Sequence, residues 1–157
     1  MGRVVLVTGV ASNLASQFAL RLAGLQGIDK VVGIDTILPA GQLEGVKFVR
    51  ADIRTPVVGK VMAVEEVDTV VHLDVGPPTR GRSSASKELN VIGTMQLLAA
   101  CQRSGGVNKL VLGSSTAVYG TSPRDPAMFT ESLLARDGVR SGFPKDMVEV
   151  ESYVRGF

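Results

Sequence analysis

The chain alternates short runs of apolar, often β-branched residues with longer amphipathic stretches. Five such runs are candidate strands: residues 3–8, 30–35, 46–51, 69–73 and 109–114. Each run is mostly apolar on both faces, which is typical of strands in a parallel sheet that helices cover on both sides. The alternation therefore predicts an α/β fold, in which a right-handed, doubly wound parallel sheet is flanked by helices.

The amphipathic stretches supply the helices. Apolar residues at helical spacing predict helices over 13–25, 86–103 and 145–154, with a weaker pattern over 56–65. Between Tyr119 and Phe143 the composition turns to Pro, Arg, Asp and Ser, which predicts a long irregular connection. A parallel sheet of this type normally continues to another strand. We therefore expect either an exposed sheet edge or a chain truncated at its C-terminus.

Length and composition limit the class of protein. The 157 residues correspond to one domain, residues 1–157, and an apolar share of 45% is too high for a disordered chain. The net charge of +2 is small and the basic residues are scattered, which argues against a nucleic-acid partner.

Targeting and metal signals are missing from the sequence as given. No apolar run reaches the roughly 18 residues of a membrane span, and the first strand leaves no room for a secretory signal. We therefore expect a cytoplasmic protein without a membrane partner. Cys101 lies in an apolar helical pattern and is interpreted as a buried structural thiol. His72 has no second histidine or cysteine pair beside it, so no metal site is predicted.

Polar residues follow the predicted strands, and a doubly wound sheet binds its ligand at the carboxyl ends of its strands. Asp35 closes the second strand, one β-α-β unit after Gly9. A carboxylate there can accept hydrogen bonds from both ribose hydroxyls of a dinucleotide and repels a 2′-phosphate, which favours NAD over NADP. The alternative is an aspartate that only stabilises a turn.

Six segments in this order together resemble the extended short-chain dehydrogenase/reductases, the NAD-dependent epimerase/dehydratase family. They are Val5-Leu-Val-Thr-Gly9, Asp35, Ala51-Asp-Ile-Arg54, Val70-Val-His-Leu73, Asn90-Val-Ile-Gly-Thr94 with Leu97-Leu-Ala-Ala-Cys101, and Leu112-Gly-Ser-Ser-Thr-Ala-Val-Tyr-Gly120. The resemblance covers essentially the whole chain. It implies a Rossmann-like nucleotide-binding domain without its substrate domain, from an oxidoreductase or isomerase that acts on a nucleotide sugar or related hydroxyl compound.

The resemblance also implies positions for the NAD cofactor. It places the diphosphate at the turn, the adenosine ribose at Asp35, the adenine at Asp52 and Ile53, and the back of the cofactor at Leu73 and Asp74. The turn residues concerned are Gly9, Ser12, Asn13 and Leu14. Ser115 would lie beside the reacting carbon and Lys145 on the nicotinamide ribose. Without the resemblance, the favoured interpretation of Ser115 is a hydroxyl that only satisfies a strand end. Lys145 is then as readily a solvated lysine at the start of a helix.

The turn departs from the family pattern at two of three glycines, because Ser12 and Ala15 replace the second and third. A side chain at the second position can intrude on the diphosphate, although the Ser12 hydroxyl or the Asn13 amide could donate to a phosphate at the helix N-terminus. We expect dinucleotide binding to be retained but weakened. Asp74 replaces a small apolar residue and would lie near the diphosphate, unless it turns toward Arg80 or Arg82.

The catalytic pair is also altered. The family places a tyrosine, the general acid/base, four residues before a lysine, and here Ser141 stands four residues before Lys145. Neither Tyr119 nor Tyr153 restores the pair by position. His72 is interpreted as structural rather than as a base, and Asn90 is expected to bond backbone near the fifth strand.

Three functions remain open from the sequence. The first is an NAD-linked epimerase/dehydratase, impaired in catalysis as given. The second is a non-catalytic nucleotide-binding or regulatory protein of the same fold, and the third is a structural fragment that binds nothing. The substrate is not encoded in a recognisable motif, and a homodimer is left open.

Overall fold

The computed structural model of the 157-residue chain describes residues 2–77, 86–120, 122–125, 127–133 and 141–157. The strands are β1 (Arg3–Thr8), β2 (Ile28–Asp35), β3 (Val46–Arg50), β4 (Thr69–His72) and β5 (Lys109–Leu112). The helices are α1 (Asn13–Ala23), α2 (Val57–Glu65), α3 (Thr94–Ser104) and α4 (Gly142–Arg155). A π-helical segment, Glu88–Gly93, leads into α3, and a 3₁₀ turn, Thr116–Tyr119, follows β5.

The five strands form one parallel sheet in the order β3-β2-β1-β4-β5. The chain moves outward from β1 to β3 and then crosses back to place β4 on the other side of β1. The order therefore reverses between β1 and β4, and a cleft opens at the carboxyl ends of these two strands. The predicted doubly wound, Rossmann-like parallel sheet is confirmed.

Alternating residues of the central strands bury opposite faces of the sheet. Leu6, Ile34 and Val70 pack with residues of α2 and α3, whereas Val5 and Val71 pack with α1. These side chains are almost completely buried. Burial on both faces explains why the strands read as continuous apolar runs in the sequence.

Several predicted boundaries differ from the observed ones. β2 begins at Ile28, earlier than predicted, while β4 and β5 end at His72 and Leu112, one and two residues early. Residues 86–103 are helical as predicted, but the segment Glu88–Gly93 is a π-helix. Gly93 within it packs so closely on Ile53 that a Cβ there would lie 2.8 Å from the Ile53 Cδ1.

Helix α4 is held against the carboxyl end of the sheet by a third apolar cluster. Met147 and Val150 of α4 pack on Val91 of the π-helical segment and Val118 of the 3₁₀ turn. The Ser114 hydroxyl, just after β5, donates to the Glu151 carboxylate at 2.5 Å. These contacts fix helix α4, whose first turn carries Lys145, relative to the end of β5.

None of the helices in the described ranges has the length and apolar character needed to cross a bilayer.

Ala15 offers a test of this packing. Its methyl group is fully buried between α1 and the sheet, among Val5, Val7 and Val71. Ala15→Gly should lower the free energy of unfolding by about 2 kcal/mol, since glycine costs about 1 kcal/mol in a helix and a lost methyl about 0.8. Ala63→Gly, at an exposed position of α2, is the matched control and should cost only the helix-propensity part. Urea denaturation measures both, and equal losses would contradict the packing role of Ala15.

Candidate functional site

A cleft of about 580 Å³ lies at the carboxyl ends of β1, β2 and β4, within the size range of small-molecule sites. Five of the predicted cofactor residues line it: Gly9, Ser12, Asp35, Leu73 and Asp74. Asn13 and Leu14 are exposed at the adjoining N-terminus of α1. Ser115 and Lys145 are not among the residues that line this cleft. The structure thus groups the predicted diphosphate and ribose positions.

The turn after β1 reaches the cleft through two different backbone conformations. Gly9 has φ of 77°, and a Cβ there would lie 3.1 Å from the Cα of Asp74, so glycine is required. Ser12 instead has φ of −77° and ψ of 150°, which any residue adopts. The replacement of the second family glycine therefore causes no backbone strain.

Ser12 is the N-cap of α1, since its Oγ accepts a hydrogen bond from the Ala15 N–H at 3.3 Å. The N–H groups of Asn13 and Leu14 have no acceptor among the described residues. The first turn of α1 contains no acidic residue. Two free donors at the positive end of a helix dipole are suited to bind an anionic oxygen.

Asp35 is held in place by the backbone on both of its carboxylate oxygens. Oδ2 accepts from the Ala11 N–H at 2.9 Å, and Oδ1 accepts from the Ile37 N–H at 3.0 Å. The side chain therefore stabilises the turn, as the alternative interpretation of this residue expected. Each oxygen keeps a second lone pair. The carboxylate lines the cleft with acceptor capacity left for a hydroxyl.

The segment after β3 meets the cleft through Arg54, a residue that the sequence analysis did not single out. Its guanidinium contacts Asp52 by two donors, Nη2 to Oδ2 at 2.6 Å and Nε to Oδ1 at 3.0 Å, and Nη1 lies 3.3 Å from Glu88. The hydrogen bond from Arg54 lowers the pKa of the Asp52 carboxyl. The Ile53 side chain is buried in the core, so only the backbone of Ile53 is left to meet an adenine.

Asp74 brings into the cleft a carboxyl that forms no ion pair with any described residue. No described residue donates a hydrogen bond to its side chain, and Arg80 and Arg82, its predicted partners, lie outside the described residues. Burial, followed by the charges of Asp35 and Asp52, raises the pKa of the Asp74 carboxyl to about 6. The carboxyl is therefore poised to change its charge close to neutral pH.

His72 is buried between two threonine hydroxyls, with Nδ1 at 2.8 Å from Thr8 Oγ1 and Nε2 at 3.0 Å from Thr94 Oγ1. Thr94 donates its only proton to the Asn90 carbonyl, so it must accept from His72 Nε2–H. His72 Nδ1 then accepts from the Thr8 hydroxyl. Burial lowers the pKa of the imidazole to about 4, which keeps it neutral near pH 7.

The hydrogen bonds of His72 extend to the loop that follows β4. The Thr8 oxygen, whose proton goes to His72, accepts from the backbone N–H groups of Leu73 and Asp74 at 3.1 and 3.2 Å. The His72 imidazole and the Thr8 hydroxyl thereby join the end of β1, the loop after β4 and the start of α3. This geometry supports the structural interpretation of His72.

Asn90 closes the same loop from the helix side. Its amide donates to the Gly76 carbonyl at 3.0 Å and accepts from the Gly76 N–H at 3.2 Å. Asn90 was expected to bond backbone near the fifth strand, and that location was wrong: its partner follows β4. The register of the π-helical segment decides which loop the side chain faces, and the sequence does not show that register.

The predicted catalytic positions lie at the start of α4 and after β5. Ser141 is the exposed N-cap residue of α4, without a side-chain capping bond, and Lys145 is exposed in the first turn. Ser115 caps the 3₁₀ turn, since its Oγ accepts from the Ala117 N–H at 3.2 Å. The strand-end interpretation of Ser115 is thus present in the structure, and its own proton stays available to a ligand.

Both tyrosines of the chain contact other side chains. Tyr119 stacks on Phe129 with ring centroids 4.4 Å apart. The Tyr153 hydroxyl donates to Glu149 at 3.1 Å, and this hydrogen bond raises the pKa of the phenol. A weaker acid is a poorer proton donor near neutral pH.

In the part of the chain that the structure describes, no group of three His, Cys, Asp or Glu side chains could hold a metal ion.

Comparisons with known proteins identify the family of the chain. The model of the NAD dependent epimerase/dehydratase family matches residues 5–144. Uncharacterised proteins of Mycobacterium tuberculosis and Mycobacterium bovis are 46% identical, over 98% of this chain and 42% of their own length. A UDP-glucose 4-epimerase of Klebsiella pneumoniae is 31% identical, over 78% of this chain and 96% of that protein. The chain thus spans about two fifths of the length of the mycobacterial relatives.

Solved structures share the fold. A UDP-glucose-4-epimerase of Stenotrophomonas maltophila, with bound NAD and formylated UDP-arabinopyranose, superposes with a TM-score of 0.81 at 26% identity, over 98% of this chain and 48% of that chain. A UDP-Glc/GlcNAc 4-epimerase of Campylobacter jejuni reaches 0.81 at 18% identity, over 99% of this chain and 49% of that chain. With the family match over most of its length, the chain belongs to the NAD dependent epimerase/dehydratase family.

Proposed function

We propose that this chain is the NAD-binding part of an epimerase/dehydratase-type oxidoreductase for a nucleotide sugar or related hydroxyl compound, and that its catalysis is impaired. One observation carries the binding proposal. The N–H groups of Asn13 and Leu14 lack acceptors among the described residues, and they lie beside the cleft. In that cleft, hydrogen bonds from the backbone hold the Asp35 carboxylate in place. Free helix donors and a fixed carboxylate are what a diphosphate and an adjoining ribose require.

Each of the predicted residues would contact a different part of the dinucleotide. The helix donors and the Ser12 hydroxyl would hold the diphosphate, with Gly9 allowing close approach and Asp35 accepting from the adenosine ribose. Asp52 and the Ile53 backbone would face the adenine, and Leu73 and Asp74 would lie behind the cofactor. A bound nicotinamide dinucleotide supplies hydride transfer to or from a substrate carbon. The NAD and UDP-sugar found in related epimerases support this assignment.

The protein groups for catalysis are incomplete. The exposed Lys145 ammonium is available to bond the nicotinamide ribose, and the Ser115 proton is available to a substrate hydroxyl. A general acid/base is needed to take the proton from the reacting hydroxyl, and Ser141 cannot serve because an aliphatic hydroxyl is far too weak an acid. The serine at position 141 favours a second candidate function, that of a nucleotide-binding or regulatory protein without turnover.

Titration calorimetry with NAD and NADP separates these proposals from a chain that binds nothing. NAD should bind more tightly than NADP, because two like charges about 4 Å apart repel by about 1 kcal/mol in water and about 4 near a protein surface. Asp35→Asn should narrow the difference in affinity between NAD and NADP by at least about fivefold. Asp29→Asn, at the opposite end of β2, is the matched control and should leave the gap unchanged. Equal affinities in the unmodified chain would refute the role of Asp35.

The Ser12 hydroxyl can be tested by the glycine that the family has at this position. Its oxygen faces the Ala15 N–H, so its proton is free to donate to a phosphate. Ser12→Gly should therefore weaken NAD binding at least about tenfold, since a hydrogen bond to a charged group contributes about 1.5–3 kcal/mol. Ser12→Thr keeps the hydroxyl and should bind nearly as well as the unmodified chain. Tighter binding by the glycine variant would show instead that the serine side chain intrudes on the cofactor.

Turnover is the third test. With no phenol before Lys145, conversion of a nucleotide sugar should be slower by about 10²- to 10⁴-fold than in an enzyme with the complete pair. Chromatographic separation of product from substrate, with a panel of nucleotide sugars, measures it, because an epimerase returns the hydride to the sugar and leaves no net reduced cofactor. Fast turnover that survives Ser115→Ala and Lys145→Ala would show that the site is misplaced. Fast turnover that either substitution abolishes would show that another acid, such as Tyr119, acts in place of the tyrosine.

A further inference from the structure

We propose that the charge of Asp74 sets the affinity of the cleft for a dinucleotide: the complex forms with this carboxyl protonated, and ionised Asp74 opposes the diphosphate. The inference rests on the proposed dinucleotide function and assigns to that site a determinant of affinity. Asp74 stands where the family resemblance leads us to expect a small apolar residue, so the effect belongs to this chain's own sequence.

Asp74 is fixed against the turn that would hold the diphosphate. The Asp74 Cα and Cβ lie 3.1 and 3.2 Å from the point where a Cβ on Gly9 would be. The Asp74 N–H is bonded to Thr8 Oγ1, and Gly76, two residues later, is bonded twice to the Asn90 amide. The backbone on either side of the carboxyl is therefore anchored, and moving it away from the turn would break these hydrogen bonds.

Among the described residues, the charged groups that face Asp74 are predominantly negative. Asp35 faces it from the end of β2, and Asp52 and Arg54 face it from the connection after β3. Arg54 is the only cation among these groups in the described residues, and it is already bound to Asp52 and Glu88. Neither the cleft-lining part of the turn, Gly9 to Ser12, nor Leu89 and Asn90 of the π-helical segment adds a charge.

A diphosphate in this cleft would add further negative charge beside Asp74. Burial and the two neighbouring carboxylates already raise the pKa of Asp74 to about 6, and another anion nearby raises it further. By linkage, a carboxyl whose pKa rises on binding takes up a proton. Binding then strengthens as the pH falls through the pKa of the complex, and it levels off below the pKa of the free protein.

Calorimetric titration of the 157-residue chain with NAD, between about pH 8 and about pH 5.5, tests the proposal. The unmodified chain should bind about tenfold more tightly at the lower pH, since one pKa unit is tenfold in an equilibrium constant. Asp74→Asn removes the charge at constant shape, and its affinity should be independent of pH and equal to or above the best value of the unmodified chain. Paired titrations in buffers of different ionisation enthalpy should show proton uptake that the variant lacks.

Glu44→Gln is the matched control, because Glu44 is an exposed carboxylate outside the cleft. It should keep the pH dependence of the unmodified chain. A second measurement needs no ligand: since folding raises the pKa of Asp74, the difference in urea-unfolding free energy between the unmodified chain and Asp74→Asn should shift in favour of the unmodified chain as the pH falls from about 7 to about 5. The comparison cancels the opposite contribution of His72, whose pKa is lowered by burial in both chains.

The outcomes separate the two proposals. Equal affinity at both pH values, or the same pH dependence in Asp74→Asn, overturns the role of Asp74 while leaving dinucleotide binding intact. Absence of NAD binding by both chains at every pH, with the pH-dependent difference in stability between them present, refutes the dinucleotide function and the present inference with it.

Discussion

The arrangement of the site depends on the hydrogen bonds of one buried imidazole. His72 ends β4, accepts from Thr8 at the end of β1 and donates to Thr94 at the start of α3. β1 and β4 are the two strands between which the sheet order reverses. The imidazole therefore joins three elements at the one place where a doubly wound sheet offers a cleft. A buried network of this kind is favourable only when every member is satisfied, and no buried side-chain polar atom among the described residues lacks a partner.

The strands and their order could be predicted from the sequence because burial on both faces leaves a clear pattern. A continuous apolar run such as Val4 to Val7 is typical of a parallel strand that is covered on both faces. The carboxyl ends of such strands share one edge, so the grouping of Gly9, Asp35 and Asp74 also followed from sequence order. The physical rule concerns topology, and it does not require the contacts of any side chain to be known.

The contacts themselves could not be predicted. Arg54 enters the cleft because it pairs with Asp52 two residues earlier and with Glu88 across the fold, and the second contact is invisible in the sequence. The direction in which the Asn90 side chain points depends on the register of the π-helical segment. The direction of the Ile53 side chain depends on the space that Gly93, which has no Cβ, leaves beside it. The cap role of Ser12 required its backbone angles. Packing between distant segments decides each of these details.

The buried methyl of Ala15 has a consequence for how this sequence can evolve. The side chain occupies the helix–sheet contact where the family pattern has a glycine, and the buried valines Val5, Val7 and Val71 belong to the same cluster. A reversion to glycine would now leave a void that only further substitutions among those valines could fill. A change to glycine at this position would therefore first pass through a less stable protein, even if glycine suited a ligand better.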